Sequence, residues 1–142
     1  MREPLAFVIE DHKDIAEIFA TAVEDAGYEV EVIGNGRSAL NRLAQAVPDV
    51  VLLDLRLPEV EGKDILKSIR ADERFCKTRV LLITAEHQRA EPIRDLADLV
   101  LIKPVSFIQL RDLVERMRLD MPDCQDYANG KSNGNGNGVY PA

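Results

Sequence analysis

The 142-residue sequence has no tryptophan, only two cysteines and 5% aromatic residues. Cys76 and Cys124 are too few for a disulfide framework and have no metal-ligand spacing. We therefore expect both thiols to be reduced, Cys76 to be inert, and the protein to be cytoplasmic. Long apolar runs are also missing, since no run approaches the roughly 18 residues needed to span a bilayer. Glu10 and Asp11 interrupt the apolar run near the start, which argues against a signal peptide.

Positive charge is scarce as well. The 18 Lys and Arg residues against 25 Asp and Glu residues give a formal charge of −7. A nucleic-acid binder needs a basic face to neutralise phosphates, so neither nucleic acid nor a membrane is an expected partner. At 46% hydrophobic and 30% charged residues, the composition is that of a folded globular domain rather than a disordered chain.

The last part of the sequence differs from the rest. Residues 123–142 show no apolar periodicity, and Asn129–Gly138 is a low-complexity tract of glycine and polar residues. Such a segment buries too little apolar surface to offset its ordering entropy, so we predict a flexible tail. Residues 1–122 then form one domain.

Within 1–122, short apolar runs alternate with helical patterns. The runs predicted as strands are Leu5–Ile9, Tyr28–Ile33, Val50–Leu53, Val80–Ile83 and Leu99–Ile102. Uninterrupted apolar runs indicate strands buried on both faces, whereas Tyr28–Ile33 alternates apolar with acidic residues, as a half-exposed edge strand would. The succession of strands and helices predicts an α/β fold. The fold class is a doubly wound, five-stranded parallel sheet with helices on both faces.

The sequence makes specific predictions for three of the helices. The second helix is expected to extend its apolar face to Val47 and to close at Pro48. The crossover between Thr84 and Lys103 is short and contains Pro92, which predicts a short or irregular fourth helix. Ser106 is expected to cap the last helix.

Polar side chains follow the predicted strands at their carboxyl ends, where ligands bind in open α/β sheets. Glu10 and Asp11 follow the first strand, Asp54 the third, Thr84 ends the fourth and Lys103 follows the fifth. Three neighbouring carboxylates repel one another, and a hard divalent cation such as Mg²⁺ or Mn²⁺ relieves that repulsion. Carboxylate, cation, ammonium and hydroxyl together suit a phosphoryl group, and an aspartate can itself be the nucleophile.

Four motifs in register resemble the receiver domain of bacterial two-component response regulators. They are Ile9–Asp11, Leu53–Gly62, Leu82–Ala85 and Ile102–Val105. The resemblance covers roughly Leu5 to Met117, and four motifs in the right order are far more specific than any single one. It implies a flavodoxin-like fold with strand order 2-1-3-4-5 and a function in signal transduction.

The resemblance also implies a role for each matching residue. Asp54 would accept the phosphoryl group from the phosphohistidine of a sensor histidine kinase or of a phosphotransfer protein in a phosphorelay. Thr84 and Lys103 would hold the phosphoryl oxygens. Pro104 occupies the position of the family's cis peptide bond.

The implied cofactor is Mg²⁺. Its ligands would be the Asp11 and Asp54 carboxylates and the backbone carbonyl of Arg56, while Glu10 would act mainly through metal-bound water. No enzymatic activity is expected beyond Mg²⁺-dependent self-phosphorylation and autodephosphorylation.

Two departures from the family pattern concern its output. The family usually has an aromatic residue three positions before the lysine, and here that residue is Val100. The short crossover removes part of the surface through which many relatives signal or pair. With no output domain in the sequence, we expect a stand-alone receiver that acts on a downstream protein target, with homodimer formation left open.

Two other functions compete with this interpretation. A constitutive scaffold that keeps the fold without switching fits Val100 and the short crossover, but not the complete set of pocket residues. A phosphatase with an aspartate nucleophile lacks a second acid two residues after Asp54, where a general acid would stand. Arg56 occupies that position, and we expect it to pair with Glu86 across the pocket mouth or simply to be solvated.

Overall fold

The computed structural model describes residues 3–119 and 139–141. The strands are β1 Leu5–Ile9, β2 Glu29–Ile33, β3 Val50–Leu53, β4 Arg79–Thr84, β5 Leu99–Ile102 and β6 Val139–Pro141. The α-helices are α1 Lys13–Asp25, α2 Gly36–Leu43, α3 Gly62–Arg70, α4 His87–Ala90 and α5 Phe107–Leu119. Two 3-10 helices, Glu73–Phe75 and Glu91–Leu96, precede β4 and β5.

The sheet is parallel throughout, in the order β2-β1-β3-β4-β5-β6. The predicted order of the first five strands is confirmed. The three-residue β6 was not predicted, and it extends the sheet beyond β5. The rest of the predicted tail, residues 123–138 and Ala142, lies outside the described residues.

Alternate residues of each central strand enter separate cores on the two faces of the sheet. Phe7 and Ile9 of β1 pack with α2 and α3, whereas Ala6 and Val8 pack with α1 and α5. The uninterrupted apolar runs of β1, β3 and β4 follow from this burial on both faces. β2 lies at the edge and is partly exposed, but its burial does not follow the alternation of its sequence, because Val32 is 50% exposed and only Ile33 of the five strand residues is buried.

The fourth crossover is irregular, as predicted. Helix α4 has only four residues, and Pro92 lies in the first turn of the 3-10 helix that follows. The last helix also begins as expected, because the Ser106 hydroxyl accepts a hydrogen bond from the Gln109 N–H at 3.3 Å.

Two expectations are wrong. Helix α2 ends at Leu43, and Val47 lies beyond it with 41% of its surface exposed. Pro48 has no N–H to donate to the Ala44 carbonyl, and its ring would clash with that carbonyl in a helix, so the helix ends before it reaches Val47. Cys76 is disulfide-bonded rather than a reduced, inert thiol. Sequence spacing does not reveal whether two α-carbons come within disulfide range, and Cys124 lies outside the described residues.

None of the helices that the structure describes combines the length and the apolar character of a transmembrane span.

The loop after β3 is held close to the sheet by a glycine at the start of α3. The Gly62 N–H donates to the Leu55 carbonyl at 3.0 Å. A Cβ at this position would overlap the Asp54 carbonyl oxygen and would lie 2.7 Å from the Leu55 Cα. Only glycine permits this approach of the helix to the end of β3.

We therefore expect Gly62→Ala to lower the free energy of unfolding by about 1–3 kcal/mol, because the backbone must shift to admit the methyl group. Urea denaturation measures this. Gly34→Ala is the matched control, since a Cβ there meets no atom within 4 Å, and it should change stability by less than about 0.5 kcal/mol. Equal stability of the two variants would contradict the steric argument.

Candidate functional site

The predicted site residues converge at the carboxyl ends of four strands. Glu10 and Asp11 follow β1, Asp54 follows β3, Thr84 ends β4 and Lys103 follows β5. Backbone pairing continues beyond the strands, since the Asp54 N–H donates to the Ile9 carbonyl at 3.1 Å and the Lys103 N–H to the Thr84 carbonyl at 2.9 Å. The strand register therefore sets the positions of the side chains.

Lys103 joins two carboxylates that are distant in sequence. Its Nζ lies 2.8 Å from Glu10 Oε1 and 3.0 Å from Asp54 Oδ2. Glu10 and Asp54 are 3% and 7% exposed, and charges buried to this extent require partners. The ammonium group supplies one and holds the ends of β1, β3 and β5 together.

The remaining carboxylate oxygens accept backbone hydrogen bonds. The His12 N–H donates to Glu10 Oε2 at 3.1 Å, and the Arg56 N–H donates to Asp54 Oδ1 at 3.1 Å. Both Glu10 oxygens thus have hydrogen-bond donors, an arrangement that suits an indirect role toward a cation. Asp11 is exposed, and the cap of α1 is His12 rather than either acid.

Burial and pairing act in opposite directions on these groups. Burial raises the pKa of Glu10 above its ordinary value, outweighing its hydrogen bonds from Lys103 and His12. For Lys103, burial lowers the pKa, but the hydrogen bonds and charges of Glu10 and Asp54 raise it above the ordinary value overall. The lysine is therefore a fixed positive charge in the pocket.

The chemistry of the acidic groups fits a hard divalent cation. Glu10, Asp11 and Asp54 each offer a carboxylate oxygen, and these three atoms lie within 4.8 Å of one another. All three are oxygen donors, which favour Mg²⁺ over softer metals. Like charges at this spacing repel, and Lys103 offsets only part of that repulsion.

Thr84 is 1% exposed, and its hydroxyl accepts a hydrogen bond from the Glu86 N–H at 3.0 Å. This bond orients the oxygen and leaves the hydroxyl proton for donation. The Lys103–Pro104 peptide bond is cis, as the resemblance implied. Val100 is buried in the core on the face of the sheet that α2 and α3 cover, at the position where the family usually has an aromatic residue.

The predicted pair across the pocket mouth is present. Arg56 Nη2 lies 2.5 Å from Glu86 Oε1. Two further residues extend this ion pair and were not predicted. Arg89 also binds Glu86, and it lies 3.9 Å from Glu61 at the start of α3. The spacing of Glu86 and Arg89, three residues apart, was the available signal for a helical ion pair.

The pattern of the response regulator receiver domain matches residues 6–115 of the chain. The protein belongs to this family. Its members are signal-transduction modules of two-component systems rather than classical enzymes, and phosphorylation controls their signalling. Membership favours a phosphorylation-dependent switch over the constitutive scaffold.

Several known proteins are similar to this receiver domain. The regulatory protein AtoC of Escherichia coli K12 is 35% identical over 112 residues, which are 77% of this chain and 24% of that protein. The sensory transduction protein RegX3 of Mycolicibacterium smegmatis is 33% identical over 78% of this chain and 47% of its own length. The structure of the chemotaxis response regulator CheY4 of Vibrio cholerae has a TM-score of 0.74 and 26% identity, and the alignment covers 82% and 99% of the two chains.

The curated relatives are longer than the matched region. The aligned region covers between 19% and 51% of their lengths. The similarity therefore describes the receiver domain that they share with this chain.

Proposed function

We propose that this receiver domain accepts a phosphoryl group on Asp54 from the phosphohistidine of a sensor histidine kinase or a phosphotransfer protein. The observation that supports this most strongly is the placement of the buried Asp54 carboxylate between the Lys103 ammonium and the Arg56 N–H. The protein would then signal through contacts with a downstream protein in the cytoplasm. Nucleic acid and membrane are not among the proposed partners, and homodimer formation stays open.

In the transfer, an oxygen of Asp54 attacks phosphorus, an O–P bond forms and the N–P bond of the phosphohistidine breaks. The imidazole nitrogen leaves with the bonding electron pair and takes up a proton. Lys103 stabilises the negative charge on the phosphoryl oxygens, and the Thr84 hydroxyl donates a hydrogen bond to one of them.

The proposed metal ligands are the carboxylates of Asp11 and Asp54 and the backbone carbonyl of Arg56, with Glu10 acting through water. Mg²⁺ bound there would neutralise negative charge that accumulates between the phosphoryl donor and Asp54. The close approach of the three carboxylate oxygens supports this assignment.

Phosphorylation is tested by incubating the protein with acetyl phosphate and Mg²⁺ and recording its intact mass. We expect the unmodified protein to gain one phosphoryl group and Asp54→Asn to gain none, because the amide lacks a nucleophilic oxygen anion. Asp64→Asn is the matched control, since Asp64 is an exposed acid on α3 outside the pocket, and it should be phosphorylated normally. A phosphorylated Asp54→Asn would show that another residue is the acceptor.

The metal site is tested without phosphorylation, by following backbone NMR shifts during a Mg²⁺ titration. We expect Asp11→Asn to weaken Mg²⁺ binding by about tenfold or more, because one anionic ligand is lost. Asp14→Asn, which changes an exposed acid in the first turn of α1, should leave the affinity unchanged. Equal affinity of both variants would exclude Asp11 as a ligand.

The ion pair across the pocket mouth suggests control of the phosphoryl lifetime. Arg56 and Glu86 lie where water would approach Asp54, so we expect Arg56→Ala to speed hydrolysis of the acyl phosphate. The increase should reach up to about fivefold, the rate equivalent of an exposed ion pair worth ~1 kcal/mol. Intact mass measured over time after removal of acetyl phosphate gives the rate.

Arg111→Ala is the control for this experiment, because Arg111 pairs with Asp112 on the surface of α5, away from the pocket. Its acyl-phosphate lifetime should match that of the unmodified protein. An unchanged lifetime in Arg56→Ala would mean that the ion pair does not restrict water.

A further inference from the structure

The two sides of the receiver sheet differ in how their edge strands are protected. At one edge, β2 carries the charged residues Glu29 and Glu31. On the other side, β5 has the sequence Leu-Val-Leu-Ile with no charged residue. An apolar strand with an open edge readily pairs with another extended chain, and natural proteins usually charge or cover such an edge. We therefore expect another segment to protect the open backbone groups at the outer edge of β5.

The structure supplies that cover from a distant part of the chain. β6 pairs in parallel with β5, and the register places Val100 opposite Val139, Leu101 opposite Tyr140 and Ile102 opposite Pro141. Three of the four β5 residues thus have a partner on the outer side. The arrangement is strand addition, in which backbone hydrogen bonds hold an extended peptide against a sheet edge.

β6 differs from the other strands in its placement relative to the helix that precedes it. In the sheet, β4 lies next to β3 on the side away from β2, and β6 lies next to β5 on that same side. However, α3 packs on the face that it shares with α2, while α5 packs on the opposite face with α1. A chain running directly from α5 to β6 would form a left-handed crossover, which parallel βαβ units almost never show. This favours β6 as a segment that is added to a completed sheet.

The length of chain between α5 and β6 permits this addition within one molecule. Because α5 runs antiparallel to the strands, its end lies near the edge of the sheet where the parallel β6 begins. Residues 120–138 could span up to about 60 Å if fully extended, which exceeds the distance needed to pass around one strand. A tethered segment of this kind has a high effective concentration at its site.

From these observations we infer that the outer edge of β5 is a docking site for an extended peptide, and that Val139–Pro141 of the same chain occupies it. A partner that adds a parallel strand to β5 must displace this segment first. The segment therefore acts as a built-in competitor. This inference does not depend on phosphorylation of Asp54.

The test compares amide hydrogen exchange in β5 between the full chain and the double variant Val139→Pro, Tyr140→Pro. Successive residues of a strand direct their N–H groups to opposite sides, so the double change removes the donor to β5 in either orientation. We expect exchange of β5 amides to become at least about tenfold faster, while the β3 amides serve as an internal reference.

The matched control is Asn133→Pro, Asn135→Pro, which adds the same two prolines outside β6 and should leave β5 exchange as in the unmodified chain. Unchanged β5 exchange in Val139→Pro, Tyr140→Pro would overturn the inference.

A second measurement uses the synthetic peptide Asn137–Ala142 as the probe. It should restore β5 protection in Val139→Pro, Tyr140→Pro, and it should bind the unmodified chain at least about tenfold more weakly, since the edge is occupied there. Equal binding to both proteins would exclude competition. If the unmodified chain is a dimer and loses β5 protection on dilution, the strand comes from a second copy and the intramolecular assignment is wrong.

Discussion

The site depends on the Lys103 ammonium group between Glu10 and Asp54. Two buried carboxylates that face a third one at the end of a sheet would repel each other and raise the free energy of the folded state. Lys103 contacts both at 2.8 and 3.0 Å, which converts repulsion between β1 and β3 into attraction of both toward β5. The Lys103 ammonium group thus stabilises the junction of three strands. The three carboxylates still carry more negative charge than Lys103 neutralises, which suits the proposed Mg²⁺ site.

The sheet provides what this interaction requires. A contact of about 3 Å is lost when a strand shifts by one residue, because each residue advances about 3.3 Å. The register is fixed by two separate cores, since a shift would exchange the residues that face them. Tyr28 also links the sheet to α5, because its buried hydroxyl donates a hydrogen bond to the Val114 carbonyl of that helix at 2.6 Å.

Most of the fold follows from short-range features of the sequence, and the missed parts follow from long-range ones. Apolar runs that end in Glu10, Asp54, Thr84 and Lys103 were enough to predict the central strands and the residues at their ends. The shortened α4 was predicted because Pro92 acts locally. β6, the bonded state of Cys76 and the role of Arg89 depend on which distant segments meet in space, and periodicity does not contain that information. Helix α2 ends four residues before Val47 because the effect of Pro48 reaches back to the Ala44 carbonyl, which apolar spacing alone does not show.

The separation of Glu10 and Lys103 in sequence also has a consequence for synthesis. The two members of this ion pair are 93 positions apart in the sequence, and a ribosome makes Lys103 long after Glu10 and Asp54. A nascent chain with only the first three strands has the proposed phosphoacceptor but not the cation that supports it. The pocket is complete only when β5 has docked, so the proposed phosphoacceptor gains its cationic partner late in synthesis.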